Sequence, residues 1–178
     1  GPFARLRARN PDLMFHLGDF TYADNVSSSQ SSHRANLEQV LGYSPALQDL
    51  VRDSATFYVK SDHDAGGGNN SAPGSWTAGN RAAALQTFPY PTRPDGNGLY
   101  YTVEVGRVLF IVTDTRYLVT STSRLGTAQK AWFKEQMQRS HPVKVWVQEA
   151  AWIDNEPAEA GGDKWQDFPA EKAELGAF

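Results

Sequence analysis

The chain has 178 residues, 40% of them hydrophobic and 21% charged, and a net charge of −3. Those values suit one globular domain with a sizeable core. They exclude a basic field that would recruit nucleic acid as a stable partner or draw the chain to an anionic membrane. With no Cys, disulfides and thiolate metal sites are excluded too.

In chain order, Gly1 to Arg7 is too short and too polar to read as a signal peptide. Residues 12–18 form a short buried strand that runs into Gly18-Asp19. His16 lies mid-strand and reads as a buried, hydrogen-bonded histidine. Ser27 to Ser32 is a polar loop. From His33 to Asp53 the apolar spacing is helical, with Pro45 splitting the segment in two. Residues 55–60 are a second strand, followed by Ser61-Asp62-His63-Asp64 and a loop rich in Gly, Asn and Ser. The run of Gly66, Gly67 and Gly68 lacks the Lys-Ser/Thr of a P-loop. The spacing lacks the late Glu of an EF-hand. Two Asn-x-Ser sequons, at Asn25 and Asn69, lie beside these tips and read as chance. His33 and His141 border helices and loops and read as surface residues.

Trp76 to Phe88 reads as a helix stopped by Pro89, Pro91 and Pro94, and Asp95 to Gly98 turns the chain. Residues 99–105 and 108–112 then form a hairpin across Gly106-Arg107. The second of these strands is apolar throughout, so both its faces are covered. It ends in Thr113-Asp114-Thr115-Arg116. Thr127 caps a helix to about Arg139, with Trp132, Phe133 and Met137 facing inward. Residues 143–147 are a further strand ending in Gln148 and Glu149, and a last helix starts near Pro169.

Strands alternate with helices around a central hairpin, which argues an α/β sandwich with helices outside the sheets. In such folds ligands bind beyond the C-terminal ends of the strands. Four strand ends here carry polar groups: Asp19, Asp62 with His63, Asp114 with Arg116, and Gln148 with Glu149. Asp and Tyr oxygens are hard ligands, and a phenolate suits ferric iron. Asp19 is the candidate bridge between two metal ions, Tyr22 a ligand to one and Asp62 to the other. A pair of metals about 3.5–4 Å apart clamps a phosphate ester and turns a bound water into hydroxide. Unless the loop turns, an extended backbone puts His63 on the opposite side from Asp62, which suits it to proton donation or phosphate contact rather than to sharing that metal.

Gly18-Asp19-Phe20-Thr21-Tyr22-Ala23-Asp24 resembles the Gly-Asp-x-x-Tyr-Ala-Asp block of PhoD-type alkaline phosphatases and purple acid phosphatases. At average residue usage its five fixed positions arise by chance with probability below roughly one in ten thousand. Ser61-Asp62-His63-Asp64 is similar to the Asp-Asp-His-Asp/Glu block of the PhoD branch, with Ser in place of the first Asp. Phe110 to Arg116, Leu125 to Phe133 and Asp163 to Lys172 are similar to further PhoD-branch segments, in the same order.

The resemblance implies a four-layer α-β-β-α metallophosphoesterase sandwich and a dinuclear or larger metal centre, iron with calcium in the PhoD branch. It implies hydrolysis of small phosphate mono- or diesters, usually outside the cytoplasm. Carried over, Asp19 bridges, Tyr22 binds iron, Asp62 binds the second metal and His63 is the catalytic or phosphate-binding histidine. Arg116 and Trp165 are expected at the substrate pocket, with Arg116 equally suited to pairing with Asp114. Asp24 and Asp64 are expected behind the ligands. An earlier ligand on the first strand and a late Gly-Asp-x-His block of these families have no counterpart, so the chain is expected to be a partial catalytic domain, incomplete at both ends. The alternatives are a purple acid phosphatase-like enzyme, which expects Asn in place of Asp62, a non-catalytic binding module that kept the fold, and a plain structural domain.

Overall fold

The computed structural model describes residues 1–66, 78–91, 98–153 and 164–178. Among them run helix α1 (Pro2–Arg7), strand β1 (Leu13–His16), helices α2 (Gln30–Tyr43) and α3 (Pro45–Asp53), strand β2 (Ala55–Tyr58) and a single turn, α4 (Asp62–Ala65). Helix α5 (Ala78–Thr87), strands β3 (Tyr101–Val105) and β4 (Val108–Val112), helix α6 (Gly126–Met137), strand β5 (Val143–Val147) and helix α7 (Pro169–Gly176) follow. The Gly-rich residues 67–77, most of the expected 95–98 turn and Asp163 lie outside the described residues.

Two sheets result. β1 and β2 pair in parallel, with Leu13 opposite Ala55 and His16 opposite Tyr58. β3 and β4 form the expected antiparallel hairpin around Gly106, and β5 adds in parallel to β4. The uniformly apolar β4 is explained by the two-residue period of a strand. Its Phe110 and Val112 face the first sheet, where Phe15 meets Phe110 with ring centroids 5.0 Å apart. Its Leu109 and Ile111 face the other way, into a cluster with Leu125, Phe133, Trp165 and Leu175. A third cluster joins Tyr58 to Leu37 and Leu47 of the helices on the far side of the first sheet. Helices, sheet, sheet, helices: the expected four layers are present.

The expected break at Pro45 holds. Ser44 ends α2 and its Oγ accepts the Leu47 amide at 3.2 Å, so one residue serves two helices. Helix α2 begins earlier than the spacing predicts, inside the polar loop, because Ser29 accepts the Ser32 amide and caps it there. Helix α6 likewise starts before Thr127. Ser123 Oγ accepts the Gly126 amide at 2.9 Å and does the work expected of Thr127. His33, expected at the surface, is 6% exposed. Its Nε2 donates to the Ser27 carbonyl at 2.6 Å, leaving Nδ1 to accept from Asn80 Nδ2 at 3.2 Å. The side chain of His141 is also mostly covered, and its Nε2 lies 3.3 Å from Glu104.

Candidate metal centre

The tip of β1 is built by an unusual backbone. Gly18 has φ +91 and Asp19 φ +51, so two successive residues are left-handed. A Cβ on Gly18 would stand 2.3 Å from Ser61 Cβ and 2.7 Å from Ser61 N, so only glycine lets the β1 and β2 tips touch. Asp64 holds the corner: its Oδ1 accepts the Phe20 and Thr21 amides at 2.9 and 3.0 Å, and its Oδ2 the Ser61 amide at 3.2 Å. It thereby lies behind the tips that carry Asp19 and Asp62. His16 differs from expectation. Its Nδ1 is buried without a hydrogen-bond partner among the described residues, and the ring packs edge-on to Phe20, 5.1 Å between centroids. Burial holds its pKa below the ordinary value.

Lys60 is buried behind the same corner. It bonds Asn80 Oδ1, and Asn80 Nδ2 in turn donates to the Asp64 carbonyl at 2.6 Å. Burial lowers the Lys60 pKa to about 8, against the opposing charges of Asp64 and Asp114.

Beyond the tips, Asp19, Asp62 and His63 each offer one ligand atom, and those atoms lie within 4.8 Å of one another. The expectation that His63 points away from Asp62 does not hold, because the chain turns helical at Asp62 instead of staying extended. Asp24 Oδ1 lies 2.7 Å from His63 Nδ1, which must carry the proton of that bond; this fixes the tautomer of the neutral ring. Burial lowers the His63 pKa, but the hydrogen bond to Asp24 and the charges of Asp62, Asp24 and Asp19 outweigh it and hold it above the ordinary value. Tyr22 donates its hydroxyl to Asp19 Oδ2 at 2.9 Å, and its ring packs on His63 with centroids 4.3 Å apart. That hydrogen bond first, and then the Asp19 charge, hold the phenol above its usual pKa. Asp19 Oδ1 is buried with no partner among the described residues. An orphaned buried carboxylate oxygen beside a second carboxylate and an imidazole is a donor set that fits a multivalent cation.

Asp19, Tyr22, Asp62 and His63 line an open cleft of about 490 Å³, with Ser61, Arg116, Glu149 and Lys164 on its wall. Arg116 lines the cleft but is tied down: Nε and Nη2 bond the two Glu149 oxygens at 2.6 and 2.8 Å. Its partner is Glu149 rather than Asp114, whose carboxylate is taken by the amides of Leu99, Arg116 and Tyr117 at 2.8–3.0 Å. Trp165 is not brought to the cleft. It is fully buried in the core under α6 and α7, where its indole N–H donates to Gln148 Oε1 at 2.6 Å. Sequence reasoning missed Lys60, Asn80 and the role of Glu149; only Glu149 gave a signal, as an acidic residue at a strand end.

The two facing sheets with helices outside are the fold seen in PhoD and in a purple acid phosphatase. The structure of PhoD matches with a TM-score of 0.77 at 18% sequence identity, over 97% of this chain and 44% of PhoD. A purple acid phosphatase, PPD1 from yellow lupin (Lupinus luteus) seeds, matches with a TM-score of 0.57 at 13% identity, over 93% of this chain and 28% of that one. The chain thus spans less than half the length of either. No family model and no curated protein matches the sequence. No helix among the described residues is long and apolar enough to cross a membrane.

Proposed function

We propose that this chain carries the catalytic centre of a metal-dependent phosphoesterase of the PhoD-like type, hydrolysing small phosphate mono- or diesters. The observation that carries this reading is the convergence of Asp19, Tyr22, Asp62 and His63 on one cleft from two separate strand ends. Asp19, Tyr22 and Asp62 would hold the metal centre, with ferric iron the first choice for the Tyr22 side and calcium a candidate companion. When bound, such a centre supplies Lewis-acid stabilisation of the phosphoryl oxygens and lowers the pKa of water to a useful range. The orphaned Asp19 oxygen would serve as one ligand to it, and the Tyr22 phenol, which donates to Asp19, would serve as another once its proton was given up to the field of the cation.

The chain's own groups complete the chemistry. His63 keeps one proton on Nδ1 through Asp24, so Nε2 is free to hold a second proton and deliver it to the departing alkoxide. The same proton donates a hydrogen bond to a phosphoryl oxygen before transfer. The Lys164 cation on the cleft wall adds attraction for an anionic substrate. An extracytoplasmic setting accompanies this reading by likeness to PhoD.

Protein purified without chelator is expected to contain iron and to hydrolyse p-nitrophenyl phosphate or its bis ester. Asp19→Asn removes metal and turnover together, and Tyr22→Phe removes any phenolate-to-iron absorption band. Metal-free, inactive protein that takes up no added iron, calcium or manganese refutes the proposal.

A further inference from the structure

Resting on the metal-centre reading, we infer that Glu149 is a positioning residue: it holds the Arg116 guanidinium away from Asp62 and so keeps that carboxylate open to a cation. The three side chains are 5%, 3% and 8% exposed, so their charges meet with little water between them. Arg116 Nη2 stands 3.9 Å from Asp62 Oδ1, beyond hydrogen-bond distance, yet 2.8 Å from Glu149 Oε2. A guanidinium placed between two carboxylates settles on the one that offers two parallel bonds. Glu149 offers them, at 2.6 and 2.8 Å.

Glu149 is itself fixed for this task. Thr115 Oγ1 donates to its Oε1 at 2.5 Å, and Ser61 Oγ lies within reach of its Oε2 at 3.2 Å. The same Ser61 hydroxyl stands 2.8 Å from Asp62 Oδ1, so one group spaces the two carboxylates. Asp62 is thereby left with one neutral donor and a view of the cleft. Among the described residues, Asp62 is the other carboxylate in ion-pair range of the Arg116 guanidinium, at 3.9 Å. Without the charge of Glu149, a turn of Arg116 toward Asp62 puts a protein cation where a metal cation belongs.

The test reads Mn²⁺ affinity of metal-stripped protein, from the electron paramagnetic resonance signal of the free ion. Glu149→Gln keeps the shape, loses the charge and is expected to weaken Mn²⁺ binding at least tenfold, in the range known for groups that support metal ligands. Adding Arg116→Gln to that variant removes the competing cation and returns affinity to within threefold of the parent. Arg116→Gln alone binds Mn²⁺ at least as well as one third of the parent affinity, which keeps the idea testable if Glu149→Gln does not fold. Parental affinity in Glu149→Gln, no recovery in the double variant, or a tenfold loss in Arg116→Gln alone each overturns the inference. Parent protein that binds no Mn²⁺, or binds it equally well as Asp19→Asn, overturns the metal-centre reading itself and this inference with it.

Discussion

The two sheets end in the same way in sequence and in opposite ways in physics. At the tips of β1 and β2 the acidic groups are left short of partners on the cleft side. Asp19 has a buried oxygen with none among the described residues, and Asp62 is met by one hydroxyl. At the tips of β4 and β5 they are saturated. Asp114 takes three backbone amides, and Glu149 takes Arg116 twice and the Thr115 hydroxyl. An acidic residue after an apolar strand therefore says only that a carboxylate stands at a strand end. How many donors its neighbours supply decides whether it serves as scaffold or as ligand.

Three measurements break or sharpen this contrast. The largest effect is expected at Asp114. Asp114→Ala strands three amides, two of them buried, and should cost about 3 kcal/mol of stability by urea denaturation. A loss below about 1 kcal/mol would remove the scaffold assignment. Next is Lys60, which is buried between the two regions and feels Asp64 of one and Asp114 of the other. Its folded pKa of about 8 lies below the unfolded value of about 10.4. The unfolded chain thus binds more protons between those values, so stability rises as pH passes upward through the window. Relative to Lys60→Met, chelator-treated wild type should gain about 2 kcal/mol between pH 7.5 and pH 10. A flat difference would show that Lys60 keeps its charge throughout. The smallest effect is expected at Asp19. Asp19→Asn in metal-free protein should shift stability by no more than about 1 kcal/mol, because one oxygen has no partner to lose and the other holds only an exposed tyrosine. Asn also tolerates the left-handed backbone there. A loss comparable to that of Asp114→Ala would make Asp19 a structural residue.

The parts legible in the sequence were the local ones. Strand period gave β4 its two faces, Pro45 split the helices, and the Gly18-Asp19 and Asp62-His63 tips announced themselves by following apolar runs. What escaped depends on partners far along the chain. Glu149 finds Arg116 at a separation of 33 residues, Lys60 finds Asn80 at 20, and His33 finds Asn80 at 47. Nothing in the spacing of polar residues encodes such meetings. Trp165 misled for another reason: its place at the pocket was expected from the resemblance alone, and the packing of α6 and α7 puts it in the core instead. The placement of His63 was missed because a four-residue helical turn, α4, is too short to leave a periodic trace.

The close approach at Gly18 bears on the metal centre proposed above. Because Ser61 abuts that residue with no room for a methyl group, the spacing of the Asp19 and Asp62 carboxylates would be gauged by one loop against the other, not by whatever ion arrives. Such a gauge, set as the chain folds, would resist stretching or shrinking to suit ionic radius. Gly18→Ala would act as a shim between the two loops, widening the receptacle and shifting its preference toward larger ions.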